Sequence, residues 1–315
     1  MSGNQLGNLN YSYDSDGRVI GKAGSLSSTG MPSAVIGNAF NADNAMTGFN
    51  GTTLSYDANG NLTSDGRNAY TWDARNHLTA MSGGSTASFV YDAFGRRTQK
   101  SVNGTSTRFL YDGWNPVQEL QGGTASANLL TGLEIDERFQ RTDSGGARSL
   151  LTDILGSTQA LMDSAGTIQT SYAYQPFGAT TVSGQTNGSV YQFTGREDDA
   201  TGLYYHRARY YSSSYQRFVS QDPLGFGGGD ANLYAYIGND PVDWNDPFGL
   251  KPKPPIFIPP TDLPPDPQNP DNMPIYPGRQ FWPLPGQPFP PDFMPWIPHP
   301  PDPLNPNKPK QKCAN

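Results

Sequence analysis

Residues 56–113 read YDANGNLTSDGRNAYTWDARNHLTAMSGGSTASFVYDAFGRRTQKSVNGTSTRFLYDG. Four segments within them align: Tyr56-Asp57-Ala58-Asn59-Gly60, Trp72-Asp73-Ala74-Arg75-Asn76, Tyr91-Asp92-Ala93-Phe94-Gly95 and Tyr111-Asp112-Gly113, with starts 16, 19 and 20 residues apart. A fifth, Tyr13-Asp14-Ser15-Asp16-Gly17, stands upstream. A repeat of that length holds two strands with a turn at each end. Asn-Gly at 59–60, 103–104 and 187–188 and Asp-Gly at 16–17, 65–66 and 112–113 are pairs that favour hairpin turns. Around Asn103-Gly104, residues 98–102 and 105–109 read as the arms of one hairpin. Each Tyr-Asp has a structural explanation: the Tyr packs on a neighbouring repeat and the Asp caps its own turn.

Composition agrees with many short strands. Of 315 residues, 35% are apolar and only 16% charged, which suits no helical bundle, while 17 Tyr, 15 Phe and 5 Trp are too many for a solvated coil. The single cysteine, Cys313, rules out an internal disulfide framework and any cysteine zinc site. His77, His206 and His299 are too scattered to suggest a metal triad, and no cofactor or metal is expected. No apolar run approaches a membrane span. The first ten residues, MSGNQLGNLN, lack the basic and apolar regions of a signal peptide. The expectation is a chain that is cytoplasmic at synthesis, with any passage to the cell surface or beyond by another route.

Proline divides the chain. Residues 1–250 hold six prolines and residues 251–315 hold 23. The body carries 15 basic and 23 acidic residues, a balance that repels phosphate and argues against nucleic-acid binding. The tail favours extended polyproline II or disorder over a hydrogen-bonded core. The Asn-x-Ser/Thr triplets at Asn61, Asn103 and Asn187 fit chance in so Asn- and Thr-rich a chain.

Downstream of the repeats come Gly195-Arg196-Glu197, the run Gly202-Leu203-Tyr204-Tyr205-His206-Arg207-Ala208-Arg209-Tyr210-Tyr211 and Arg217-Phe218. Asp222-Pro223-Leu224-Gly225-Phe226, Asn232-Leu233-Tyr234-Ala235-Tyr236 and Asp246-Pro247-Phe248-Gly249-Leu250 follow. With the repeats, these stretches resemble RHS (YD-repeat) proteins, and residues 195–250 resemble the RHS repeat-associated core. Asp153-Ile154-Leu155-Gly156-Ser157-Thr158 resembles the segment that usually precedes it. The resemblance covers about residues 10–250. It implies an all-β fold in which repeat hairpins form a spiralling sheet, here a partial shell over residues 1–190. An RHS core plug over 191–250 closes it, and the Pro-rich tail is residues 251–315.

The resemblance further implies that the core is a self-cleaving plug. Its catalytic groups would be Asp222 and Asp246, as an aspartyl-protease-like pair assisted by Arg217, with the scissile bond at Leu250–Lys251. The tail is then the chain's own substrate, released or presented by a single-turnover peptidase of a polymorphic toxin shell. Another RHS chain completing the sheet edge, or a secretion-system component, would be a partner. The alternative is a non-catalytic YD-repeat scaffold or cell-surface interaction protein with an uncleaved tail. Two departures from the family pattern stand near the site: Asp240 where Asn commonly precedes Pro241, and Gln216 where Gly often precedes the Arg-Phe pair.

The chemistry asks for two carboxyls that share one proton, one acting as base toward water while the other donates to the carbonyl oxygen. Asp-Pro is also a common turn opener. His206 reads as a packing or hydrogen-bonding partner, and Gly227-Gly228-Gly229 as a flexible turn. Arg207 and Arg209, two apart on an expected strand over 203–211, read as projecting to one face, where they line the plug interior or bind Asp partners.

Overall fold

The computed structural model describes residues 6–27 and 30–252. Met1–Ile258 form one compact unit and Pro259–Asn315 another. The second unit, and with it nearly all of the tail read as extended or disordered, lies outside the described residues.

The protein is all-β apart from three short 3-10 turns among the described residues. A fourteen-stranded sheet runs from Ser55–Tyr56 to Thr180–Gly184, every strand antiparallel to its sequence neighbour. A hairpin of Asn10–Tyr13 and Val19–Ala23 stands apart, as do three strands over Ala39–Phe40, Met46–Phe49 and Thr52–Thr53. Four strands, Glu197–Asp198, Tyr204–His206, Arg209–Ser212 and Arg217–Phe218, make the core sheet.

The repeat is a turn with one geometry. The Asp Oδ1 accepts the backbone N–H groups two and four residues on: Asn59 and Asn61 at Asp57, Arg75 and His77 at Asp73, Phe94 and Arg96 at Asp92, all at 2.8–2.9 Å. Asp14, Asp153 and Asp163 do the same. The residue three after the Asp is left-handed, as at Gly60 (φ +75°), Gly95 (φ +80°) and Asn76 (φ +62°), which is why Gly or Asn stands there.

In three places the aromatic before the Asp then ties its segment to the preceding repeat. Trp72 donates to Leu62 O, Tyr91 to Leu78 O and Tyr111 to Arg97 O, at 2.7–2.8 Å. In each case the acceptor lies five residues past the preceding repeat's Asp, so these turns are tied to their neighbours. Asn41 makes the same two Oδ1 bonds, to Asp43 and Ala45, so an amide oxygen suffices. Asp92→Ala is expected to lose about 1 kcal/mol and Asp92→Asn much less, read by urea unfolding; equal losses would discredit the capping account.

Two turn readings change. Tyr111-Asp112-Gly113 shares the letters of the repeat but not its geometry, since Asp112 pairs with Asn115 across a two-residue Gly113-Trp114 turn. Asn103-Gly104 closes a two-residue hairpin with both residues at positive φ, as its sequence predicts. Asn187-Gly188, by contrast, lies outside any strand or hairpin, with Asn187 Oδ1 accepting Ser189 N–H at 2.8 Å.

The sheet curls because its two ends pack on opposite faces of one core hairpin. Tyr205 and Tyr210 join Leu62, Tyr70, Leu78, Met81 and Phe89 from the early strands. Tyr204 and Tyr211 join Leu129, Leu161, Tyr172 and Tyr174 from the late ones. Successive strand side chains point to opposite faces, so a sheet that touches both must wrap the core.

Candidate active site

Residues 203–211 are not one strand: Tyr204–His206 and Arg209–Ser212 form a hairpin, with Arg207 left-handed (φ +60°) in its turn. Arg207 therefore lies in the turn and Arg209 opens the second strand, so the two share no strand face, and each meets an Asp. Arg207 binds Asp136, whereas Arg209 Nη2 lies 3.0 Å from Asp222 Oδ2 and 3.6 Å from Asp246 Oδ2. The structure thus brings Asp222 and Asp246 to one guanidinium.

That guanidinium is not Arg217. The Arg217 side chain extends to Asn232 Oδ1 (3.2 Å) and lies near the rings of Tyr234 and Phe40. The difference is one of register: Arg217 pairs with Ser212 at the far end of the strand that Arg209 begins. Gln216, just before it, adopts the left-handed conformation (φ +58°) that glycine would favour. The third carboxylate lining the cavity is Asp230, not Asp240. Arg209 left no local signal in the sequence, since its contacts come from a chain reversal and two loops.

The peptide leading to Leu250 is strapped to the hairpin by four consecutive carbonyls. His206 Nδ1 donates to Asp246 O (2.8 Å), Arg196 and Arg207 to Pro247 O, the Ala208 N–H to Phe248 O (3.0 Å) and Arg209 Nε to Gly249 O. Gly249 is left-handed (φ +69°), and a Cβ there would stand 2.5 Å from His206 O, so only glycine fits this approach. His206 must carry its proton on Nδ1 to donate to a carbonyl. Burial and Arg196 hold its pKa well below the usual value, and the rings of Tyr211, Phe218 and Tyr236 enclose it edge-on. It is a hydrogen-bonding partner of the strap.

The two carboxyls border the segment that ends at Leu250. The amides of Gly249, Leu250 and Lys251 point at Asp246, with the Leu250 N–H 3.0 Å from Oδ1. Asp222 and the Leu250 carbonyl oxygen flank one face of Gly228: a Cβ built there would stand 2.6 Å from Asp222 Oδ2 and 3.3 Å from Leu250 O. Gly228 is thus the residue that lets the loop close over the site. Each Asp also opens a turn, Asp222 through the N–H groups of Leu224 and Gly225, so turn and site readings coexist.

Burial pushes the Asp246 carboxyl up to about 6 against the opposing pull of Arg209 and the three amides. Burial also raises Asp222, against Arg209, the Leu224 amide and Lys251. Arg209 is itself lowered to about 10 by burial. A cavity of about 340 Å³ opens over Asp222, Asp246, Arg209 and Leu250.

The chain matches the family described as Teneurin YD-shell over residues 3–242. It belongs to the YD-shell family of RHS/YD-repeat proteins. This YD-shell chain is 34% identical over 241 residues to the tRNA nuclease WapA of Bacillus subtilis, a match covering 69% of the chain and 10% of WapA. It is 28% identical over 299 residues to the double-stranded DNA deaminase toxin A of Burkholderia cenocepacia, covering 78% of the chain and 21% of the toxin. The chain therefore spans about a tenth of WapA's length. Among solved structures, TcdB2–TccC3 without its hypervariable C-terminal region shares the fold, with a TM-score of 0.56 and 21% identity over 79% of this chain and 17% of that one. Among the described residues, no helix is long and apolar enough to cross a membrane.

Proposed function

We propose that this YD-shell chain cleaves itself between Leu250 and Lys251, freeing residues 251–315 from a toxin-type shell. The observation that supports the reading is that Asp222 and Asp246 meet at the Arg209 guanidinium, with the Leu250 N–H on Asp246 Oδ1 and the Leu250 carbonyl oxygen and Asp222 both against Gly228. Water adds to the Leu250 carbonyl carbon, giving one proton to the ionised carboxylate while the protonated carboxyl donates to the carbonyl oxygen. The C–N bond then breaks, and the Lys251 nitrogen leaves as an amine after taking up a proton. Leu250 ends as a carboxylic acid. Arg209 keeps one carboxyl ionised while burial keeps a proton on the other.

The names of the relatives, a tRNA nuclease and a DNA deaminase toxin, support a toxin shell as the setting. Further RHS chains, toxin components or a secretion apparatus are the proposed partners, and export is the proposed fate.

Intact mass spectrometry of the denatured, freshly purified protein tests the reading. The expected result is a body ending at Leu250 and a peptide beginning at Lys251. A single 34.1 kDa species would instead make the chain a non-catalytic scaffold with an uncleaved tail.

A further inference from the structure

Pro247 O is held by two guanidiniums that would repel each other if left alone. Arg196 Nη1 lies 3.3 Å from it, and Arg207 Nη1 also donates to it. What gathers them is Asp136. Its Oδ1 accepts from Arg207 Nη2 (2.7 Å), Arg138 Nη2 (3.0 Å) and Arg196 Nη2, and its Oδ2 from Arg207 Nη1 (3.0 Å). The Asp136 side chain is only 10% exposed, and those of Arg138, Arg196 and Arg207 are 2%, 2% and 7% exposed.

Asp136 does not belong to the core. It sits in the loop between the sheet strands Thr124–Thr131 and Arg138–Asp143, left-handed at φ +65°, a conformation that Asp tolerates better than most residues. Its N–H donates to Asn115 Oδ1 at 2.9 Å, and Asn115 Nδ2 donates to Glu134 O at 2.9 Å. The loop is thereby pinned to the sheet strand Asn115–Gln121.

We propose that Asp136 is a positioning residue for the cleavage: from the sheet wall it holds Arg196 and Arg207 on Pro247 O and so sets the Asp246–Lys251 peptide against the carboxylate pair. This rests on the reading that Leu250–Lys251 is cleaved. Its consequence is that the bond is aligned only after the sheet has closed on the core, which ties processing to completion of the fold. Without the Asp136 charge, three buried guanidiniums face one another, the cheapest relief is for Arg196 and Arg207 to splay, and the peptide loses a tether three residues from the scissile bond. Misplacement by about 1 Å costs on the order of 100-fold in rate.

Asp136→Asn keeps the shape and the left-handed tolerance while removing the charge. In cell-free translation followed by mass spectrometry, it is expected to slow cleavage by roughly 100-fold while the pH at which the rate is half-maximal stays where it is in the wild type. Hydrogen exchange is compared in full-length chains that also carry Asp222→Asn. With Asp136→Asn, exchange is expected to rise at the amides of Gly249, Leu250 and Lys251 and to stay unchanged in Tyr204–His206 and Arg209–Ser212. Asp163→Asn is the control: it alters a turn cap elsewhere in the sheet and is expected to change neither the rate nor the exchange of the 249–251 segment.

Should Asp136→Asn not fold, Arg207→Lys decides. It keeps the charge but lacks the fork that reaches both Asp136 and Pro247 O, and the same slowing and local exchange are expected. A folded variant that cleaves at nearly the wild-type rate, or exchange unchanged at 249–251, overturns the assignment. A wild-type chain that never cleaves defeats the proposed function alone, because the exchange comparison still shows whether Asp136 holds the segment.

Discussion

Asp246→Asn and Asp222→Asn each leave the chain at its full mass, with the thermal unfolding midpoint close to that of the wild type or above it. Both carboxyls are pushed up by burial, so a neutral amide relieves a desolvation penalty instead of removing a favourable charge. The same amide can neither take a proton from water nor pass one to the carbonyl oxygen, and losing one member of a pair that acts as a unit costs on the order of 10³–10⁴ in rate. Arg209→Met is expected to slow cleavage far more than Arg217→Met. Of the two, Arg209 alone touches the two carboxylates, and its loss drives both toward the neutral form. In the wild type the pH profile is expected to be bell-shaped. The rate is expected to fall as pH rises past about 6, where burial ceases to hold the shared proton on the pair, and to fall again at lower pH as the pair takes up a second proton, the two limbs belonging to the pair as a unit. Rates from cell-free translation at a series of pH values check this. Full processing in either Asn variant would remove the pair from the mechanism.

Much of this protein is local, and the local part was legible. An Asp that bonds amides two and four residues ahead needs only the letters Asp-x-x-Gly or Asp-x-x-Asn, so the turns at Asp57, Asp73 and Asp92 followed from spacing alone. The same letters misled at Tyr111-Asp112-Gly113, where Gly comes one residue after the Asp and closes a shorter turn. The carboxylate pair was reachable only through family resemblance, because Asp222 and Asp246 lie 24 residues apart and meet through a glycine loop. Arg209 escaped because its partners arrive from the 222 and 246 turns, while Arg217 owed its place to a motif position. Nothing near Asp136 in the sequence announces that it receives arginines 60 and 71 residues further along.

The same non-local chemistry makes Arg97 the most sensitive structural residue expected outside the proposed cleavage site. It is wholly buried on the sheet strand Arg97–Val102. Its guanidinium binds Asp199 and Glu197 of the core, donates to Tyr210 Oη at 3.0 Å and stacks 4.0 Å over the Tyr205 ring. Lys100 Nζ adds a second cation, 2.9 Å from Asp199 Oδ1. Arg97→Met leaves two buried carboxylates with one lysine, and breaking such a cluster from one side costs about 3–5 kcal/mol. For a unit of this size that lowers the unfolding midpoint by roughly 10 °C. The pH dependence identifies the cause. Burial raises the Asp199 pKa, but Arg97 and Lys100 overcome it and hold the group below its ordinary value. Its contribution in the wild type is therefore present above the unfolded value of about 4 and is lost as pH falls below it. In the variant, burial with less opposition raises the same carboxyl, so that acid favours the folded state. The stability gap between wild type and Arg97→Met is accordingly wide at pH 7 and narrows toward pH 4, as thermal melts of the two proteins would show. A gap that is the same at both pH values would assign the loss to packing on Tyr205 and not to charge. A narrowing gap would mean that the wall and the core are joined by an ion cluster whose members lie about a hundred residues apart, formed only when the sheet has wrapped the plug.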